Sequence, residues 1–185
     1  MSSSEERWTY RIIDERDMPD RLDGAIRRSL CACFPGDRES FSRTRAWHGS
    51  HPAWSVFAEY DGVVIAHAGI VDRTILVGAL RVRVGGLQNV FVLPEHRGRG
   101  LFRSLMATVH EEAQRRGYEL GMLFCSRDIG LLYERVGWRF IERDVTRIDD
   151  YGRPQPLPDK NLTMIDPLSR SDLPPGDIHL QGNDW

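Results

Sequence analysis

The alternation of apolar and polar positions divides the chain into strand-like and helix-like stretches in a fixed order. Trp8 to Ile13 is rich in β-forming residues and predicts a first strand. Arg21 to Phe34 carries Leu22, Ile26, Leu30 and Cys33 at helical spacing, and Pro35-Gly36-Asp37 ends that helix. Residues 38–52 are polar and irregular and read as a loop over one end of a sheet. Trp54 to Tyr60 and Val63 to Leu76 flank Asp61-Gly62, a strong hairpin signal. Leu80, Val82 and Val84 share one face of the next strand. Their period breaks at Gly85-Gly86 and resumes at Val90-Phe91-Val92. That interruption predicts a bulge or splay near Leu87 to Asn89.

Pro94-Glu95-His96 stops this strand. Leu101 to Arg116 predicts a helix with Leu101, Leu105, Thr108, Val109 and Ala113 inward and Gly117 as its cap. Tyr118 to Phe124 reads as a buried strand, Asp128 to Val136 as a short helix, and Trp138 to Val145 as another strand. The order implies an α/β fold, a mixed sheet with crossover helices on its faces. From Asp149 onward prolines punctuate the chain. Asn161 to Ile165 offers one more strand, and the apolar content up to Trp185 favours docking against the same domain.

Composition narrows the classes. The 185 residues suffice for one domain with a sizeable core. A net charge of −2 gives no reason to expect nucleic acid as a partner. No run approaches the roughly 18 apolar residues of a membrane span, and Met1 to Arg7 lacks the apolar stretch of a secretory leader. A cytoplasmic protein away from membranes is expected. Cys31, Cys33 and Cys125 make no disulfide framework, and a lone Cys-x-Cys lacks the second ligand pair of a zinc site, so no metal is expected.

The most informative segment runs from Gln88 to Arg103. A strand delivers the chain to a turn with Gly98 and Gly100, and a helix leaves it. Glycines let backbone N–H groups turn toward one point. The free N–H groups and dipole of the first helical turn favour an anion there. The dipole contributes about 0.3–1 kcal/mol per charge. Arg97, Arg99 and Arg103 add positive potential. Without Gly-Lys-Ser/Thr this is not a P-loop, and a ligand-free tight turn is the competing reading.

Arg97-Gly98-Arg99-Gly100-Leu101-Phe102 resembles the GNAT acyltransferase signature Gln/Arg-x-x-Gly-x-Gly/Ala, with Phe102 in place of the usual small last residue. Leu131-Leu132-Tyr133-Glu134-Arg135-Val136-Gly137-Trp138 is similar to the family's second signature, a helix with Tyr followed by Gly-Phe/Trp. Within the family, Val64 to Ala68, Gly117 to Gly121 and the Trp185 end look like aminoglycoside 2′-N-acetyltransferases. Arg45 to Gly49 with Pro52 looks like the nodulation N-acyltransferase.

The resemblance implies a mostly antiparallel sheet splayed at its fourth strand, with residues 1–148 as the acyltransferase domain and 149–185 as an extension docked on it. It implies acetyl-CoA, or another acyl-CoA, as co-substrate, and transfer to a small-molecule primary amine, an amino sugar among the candidates. A non-catalytic acyl-CoA sensor is the alternative, and a homodimer is an open assembly. The CoA contacts fall on Val90, Phe91, Val92 and Arg97 to Arg103. An N–H near Val90 to Val92 faces the thioester oxygen, and Tyr133 is the candidate acid for the leaving thiolate.

On the acceptor side stand Asp37, Gln88, Asn89, Asn183 and Trp185. Gln88 replaces a glutamate of the aminoglycoside enzymes and cannot act as a base; it orients water or substrate. Asn183 replaces an aspartate. The base candidates are a water chain, Asp37, His67 and the terminal carboxylate of Trp185, although His67 also reads as a packed strand histidine and Asp37 as a turn cap. Trp47, Trp54, His48 and His51 are either sugar-stacking rings or core cover.

Overall fold

The structure, a computed structural model, describes residues 9–158 and 161–185. The first expected strand begins at Trp8, outside the described residues; β1 itself spans Arg11–Asp14. Helix α1 covers Asp20–Cys33 and buries Ala25, Ile26, Ser29 and Leu30, the face its apolar spacing predicted. The expected loop at 38–52 contains a short helix, α2 (Arg38–Arg43), whose Phe41 is buried. Strand β2 (Trp54–Tyr60) follows. The long hairpin of β3 (Val63–Val77) and β4 (Leu80–Val92) forms the middle of the sheet.

Helix α3 spans Leu101–Arg115, β5 Leu120–Cys125 and α4 Arg127–Glu134. On α3, Met106 rather than Thr108 turns inward. The Thr108 hydroxyl instead donates to the Ser104 carbonyl at 3.0 Å, a local bond open to a small hydroxyl side chain. The single strand expected over Trp138 to Val145 is two: β6 (Arg139–Ile141) and β7 (Val145–Ile148). Charged residues Glu142, Arg143 and Asp144 separate them, and they lie in different parts of the sheet.

The last strands are β8 (Pro154–Pro156), β9 (Leu162–Pro167) and β10 (Ile178–His179). The sheet order is β6-β9-β5-β4-β3-β10-β7-β8, with β2 also on β3 and β1 on β2. Strand β9 therefore stands between β5 and β6, antiparallel to both. The β4–β5 pair is parallel, as a crossover helix requires.

Two apolar clusters hold the sheet. One gathers α1, α3 and the β2–β3 hairpin around Ile26, Phe57, Ile65 and Leu105. The other joins the far ends of β3 and β4 to Ile165, Ile178, Leu180 and Trp185. Each fully buried Ile or Leu contributes about 1.5–3 kcal/mol. No helix among the described residues is long and apolar enough to cross a membrane.

Candidate functional site

The site begins where β4 and β5 part. Their pairing ends at Gly86 opposite Met122. Three residues later β4 bulges. Gly69 faces Gln88 and His67 faces Phe91, so Asn89 and Val90 share the space of one partner residue. Asn89 has φ 55. Its carbonyl accepts from His67 Nδ1 at 2.8 Å, and its side-chain amide donates to the Arg45 carbonyl. The bulge is thus fixed from both sides. Beyond it, Leu93 N–H reaches the Ile65 carbonyl of β3 at 2.8 Å. By alternation Val90 and Val92 present their N–H and C=O groups to the opposite, unpaired edge.

A glycine loop lies at the end of this edge. Gly98 (φ 73) and Gly100 (φ 85) are both left-handed. A Cβ on either would meet no atom within 4 Å, so backbone conformation rather than crowding requires glycine here. Gly100 is the N-cap of α3 and supplies no side-chain cap. The N–H groups of Leu101, Phe102 and Arg103 lie in the first turn and have no intrahelical acceptor. Arg97 Nε donates to the Val92 carbonyl at 2.9 Å, which ties the loop to the strand end. Arg103 is exposed on the rim of the same groove.

Two cavities run in series along the splay. The larger, about 750 Å³, is lined by His96 to Gly98, Gly100 to Arg103 and α4, whereas Arg99 is exposed outside its lining. The smaller, about 250 Å³, lies toward Gln88 and Trp185. Phe34, Val90, Ile129 and Tyr133 line both. Tyr133 therefore stands at the junction. Its ring meets Phe102 edge-on at 5.2 Å and Trp138 at 5.7 Å. Phe102, the departure from the signature, fills the space beside the loop and fixes the tyrosine ring. Among the described residues no partner engages the Tyr133 hydroxyl. Burial, with the Cys125 thiol second, pushes its pKa well above the ordinary phenol value, so it remains a proton donor at neutral pH.

The acceptor-side expectations divide. Gln88 and Asn89 line the smaller cavity, but the Gln88 amide is engaged at both ends: its Oε1 accepts from Trp47 N–H at 3.1 Å and its Nε2 donates to the Ser50 carbonyl at 2.9 Å. Trp185 also lines the cavity. Its indole fills the wedge where β4 and β5 separate, with Nε1 donating to the Met122 carbonyl at 3.1 Å. A Cβ at Gly86 would collide with that ring. Asn183 lines neither cavity; its amide bonds Asp150 and Arg147. Asp37 is exposed and lines neither. His67 is fully buried between Asn89 and Ser55, and burial, opposed by the Asn89 bond, pushes its pKa down to about 3. It is the packed strand histidine. Trp54 is core, bonded to the Tyr118 hydroxyl. Trp47 stacks on Phe41 at 5.4 Å and lines the smaller cavity.

Asp184 was not singled out in the sequence, and Cys125 figured there only as a thiol without a disulfide partner. Asp184 is 2% exposed and lines the smaller cavity. Its Oδ1 lies 3.0 Å from His48 Nδ1 and 3.6 Å from Arg147, yet makes no well-aligned hydrogen bond. The only signal was an acid between Asn183 and Trp185. Cys125 lies on the cavity wall with its thiol pushed up by burial to about 11, so it is neutral. Among the described residues no group of three or more His, Cys, Asp or Glu side chains gathers to hold a metal.

Residues 11–141 match the family model described as an acetyltransferase (GNAT) domain. An aminoglycoside 2′-N-acetyltransferase from Mycolicibacterium fortuitum is 31% identical over 130 residues, 70% of this chain and 64% of that protein. A nodulation protein A from Sinorhizobium terangae is 30% identical over 101 residues, 54% of this chain and 52% of the relative. The chain thus spans less than two thirds of the length of these curated relatives. The GNAT family N-acetyltransferase YhbS from Escherichia coli, crystallised in complex with CoA, shares the fold at a TM-score of 0.63 with 18% identity, covering 98% of this chain and 93% of that one. The splayed sheet, the glycine loop opening α3 and the extent of these matches together show that the chain belongs to the GNAT acetyltransferase family.

Proposed function

We propose that the protein transfers an acetyl, or another acyl, group from acyl-CoA to a primary amine within a ternary complex. The observation that carries this reading is the Tyr133 hydroxyl, without a partner among the described residues and at the junction of the two cavities. The larger cavity suits an acyl-CoA. The amides of the first α3 turn hold its pyrophosphate, with Arg97, Arg99 and Arg103 adding positive charge. The open edge at Val90 to Val92 pairs with the pantetheine arm as an added strand would.

The Val90 amide, fixed by the Asn89 bulge, donates to the thioester oxygen as negative charge develops there. Asp184 and the half-exposed His48 carry the first proton of the ammonium to solvent. The nitrogen then bonds the acyl carbon and the carbon–sulfur bond breaks. Tyr133 donates a hydrogen bond to the leaving sulfur, which ends as a thiol with the second proton shed by the nitrogen. One proton is released overall. Gln88 positions the Trp47–Ser50 loop over the acceptor. The name of one curated relative, an aminoglycoside 2′-N-acetyltransferase, brings aminoglycosides to this site as an acceptor class.

Titration calorimetry with acetyl-CoA, paired with thiol release over a panel of amines, tests the proposal. Binding together with amine-dependent thiol release is expected. Tight binding without release for any amine would leave a sensor and remove the enzyme reading.

A further inference from the structure

The smaller cavity has a composition that speaks to the acceptor itself. Its walls are aromatic and aliphatic, with Phe34, Phe41, Trp47, Phe124 and Trp185 among them. The polar side chains on the same walls are mostly engaged. Both ends of the Gln88 amide hold the Trp47–Ser50 loop, and the Asn89 amide donates to the Arg45 carbonyl. The Cys125 thiol is neutral and 3.9 Å from Met164 Sδ. Among the described lining residues, Asn161 and Tyr133 keep uncharged polar groups free.

Charge points the same way. Asp184 is the one acid among the described lining residues, and His48 and Arg147 already face it at 3.0 and 3.6 Å. Arg73 contributes a further cation near it: its guanidinium donates to the Asn183 carbonyl and, at 3.1 Å, to Ser50 Oγ. Such a site offers one ammonium a single carboxylate and offers a polycation very little. The free space, about 250 Å³, falls below the roughly 300–1,000 Å³ of pockets for drug-sized ligands.

From this we infer that the acceptor is a small monoamine with an apolar or aromatic body, an arylalkylamine in chemical class. The inference rests on the acyltransfer reading and narrows its acceptor. The aromatic walls take the ring, at the centroid separations that edge and offset contacts favour. The amine faces Tyr133 and Asp184. A hydroxylated amino sugar would place several hydroxyls against walls with few free polar groups, Asn161, Tyr133 and Asp184 Oδ1 among them, and each hydroxyl left unpaired costs on the order of tenfold in affinity.

The test compares phenethylamine and tryptamine with glucosamine, a kanamycin-type aminoglycoside and spermidine. Thiol release from acetyl-CoA gives kcat/KM for each. Calorimetric binding of each amine to the CoA-saturated protein reads the pocket without any need for turnover. The arylalkylamines are expected to lead by at least tenfold in both measurements. Equal or better performance by glucosamine or the aminoglycoside overturns the inference while leaving acyl transfer intact. Absence of thiol release with every amine sinks acyl transfer, and the binding order then still decides what the pocket accepts. Trp47→Ala should raise the phenethylamine KM at least fivefold and leave the acetyl-CoA KM within twofold. An unchanged amine KM would place the acceptor elsewhere.

Discussion

The proposed donor groove and the proposed acceptor pocket meet at Tyr133 but are made of different materials. The groove is largely backbone: the left-handed Gly98 and Gly100, the amides of the first α3 turn and the open edge of β4. The pocket is largely side chain, brought together from Phe34 after α1, from α2, the Trp47 loop, the bulge of β4, β5, α4 and the last residues of the chain. Backbone amides present the same donor whatever the side chain, so a groove built from them tolerates wide sequence change. A pocket of packed side chains changes with every substitution. Within one fold, donor recognition can therefore persist while acceptor choice drifts.

Substitutions that separate the two halves test this contrast. The largest effect is expected from Trp185→Ala, which empties the wedge between β4 and β5. Loss of a buried indole costs about 3–5 kcal/mol. Chemical denaturation should show that loss, and the amine KM should rise far more than the acetyl-CoA KM. Equal rises would mean that the wedge supports both halves alike.

Tyr133→Phe comes next. Turnover should fall at least tenfold, as loss of a hydrogen bond to developing charge on the sulfur implies, with acetyl-CoA affinity within twofold. Unchanged turnover would remove the hydroxyl from the chemistry. A smaller effect is expected from Gly100→Ala, which forces an L side chain to φ 85 at about 1–2 kcal/mol. Acetyl-CoA affinity should weaken about tenfold while calorimetric amine binding holds. A reversed pattern would dissolve the division of labour.

The smallest effect concerns the bulge that orients the Val90 amide. His67 is neutral in the fold, with its pKa lowered to about 3 from an ordinary 6.5. Its contribution is present above pH 6.5 and is lost as pH falls toward 3, because the unfolded chain takes up the proton first. Between neutrality and pH 5.5 the loss is about 1.2 kcal/mol. Urea unfolding of the wild type should show this slope and His67→Gln should lack it. Parallel profiles would mean that His67 is not held neutral.

Legibility followed the same division. The glycine loop, the interrupted strand and the Tyr133 helix each lie within a short stretch, where local spacing carries the signal. The Gly85-Gly86 break located the splay to within a few residues, and its cause became visible only in the fold. Gly86 is small because Trp185, 99 positions later, lies against it. Gln88 and Asn183 stood out as replaced acids, yet their amides hold loops and tail in place. Asp184, one residue from Asn183, lies at the pocket, and no spacing rule distinguishes the two.

The sequence by itself determined the central hairpin, helices α1, α3 and α4, the glycine turn that opens α3 and the family signatures, because those depend on neighbours along the chain. The tertiary structure alone decided that β9 enters between β5 and β6, that β6 and β7 part company, and which side chains wall the acceptor pocket. Those outcomes depend on contacts between residues well separated along the chain: Leu120 pairs with Pro167, Arg139 with Ile165, and Gly86 meets Trp185. Burial and hydrogen-bond satisfaction in three dimensions, not local propensity, select among them.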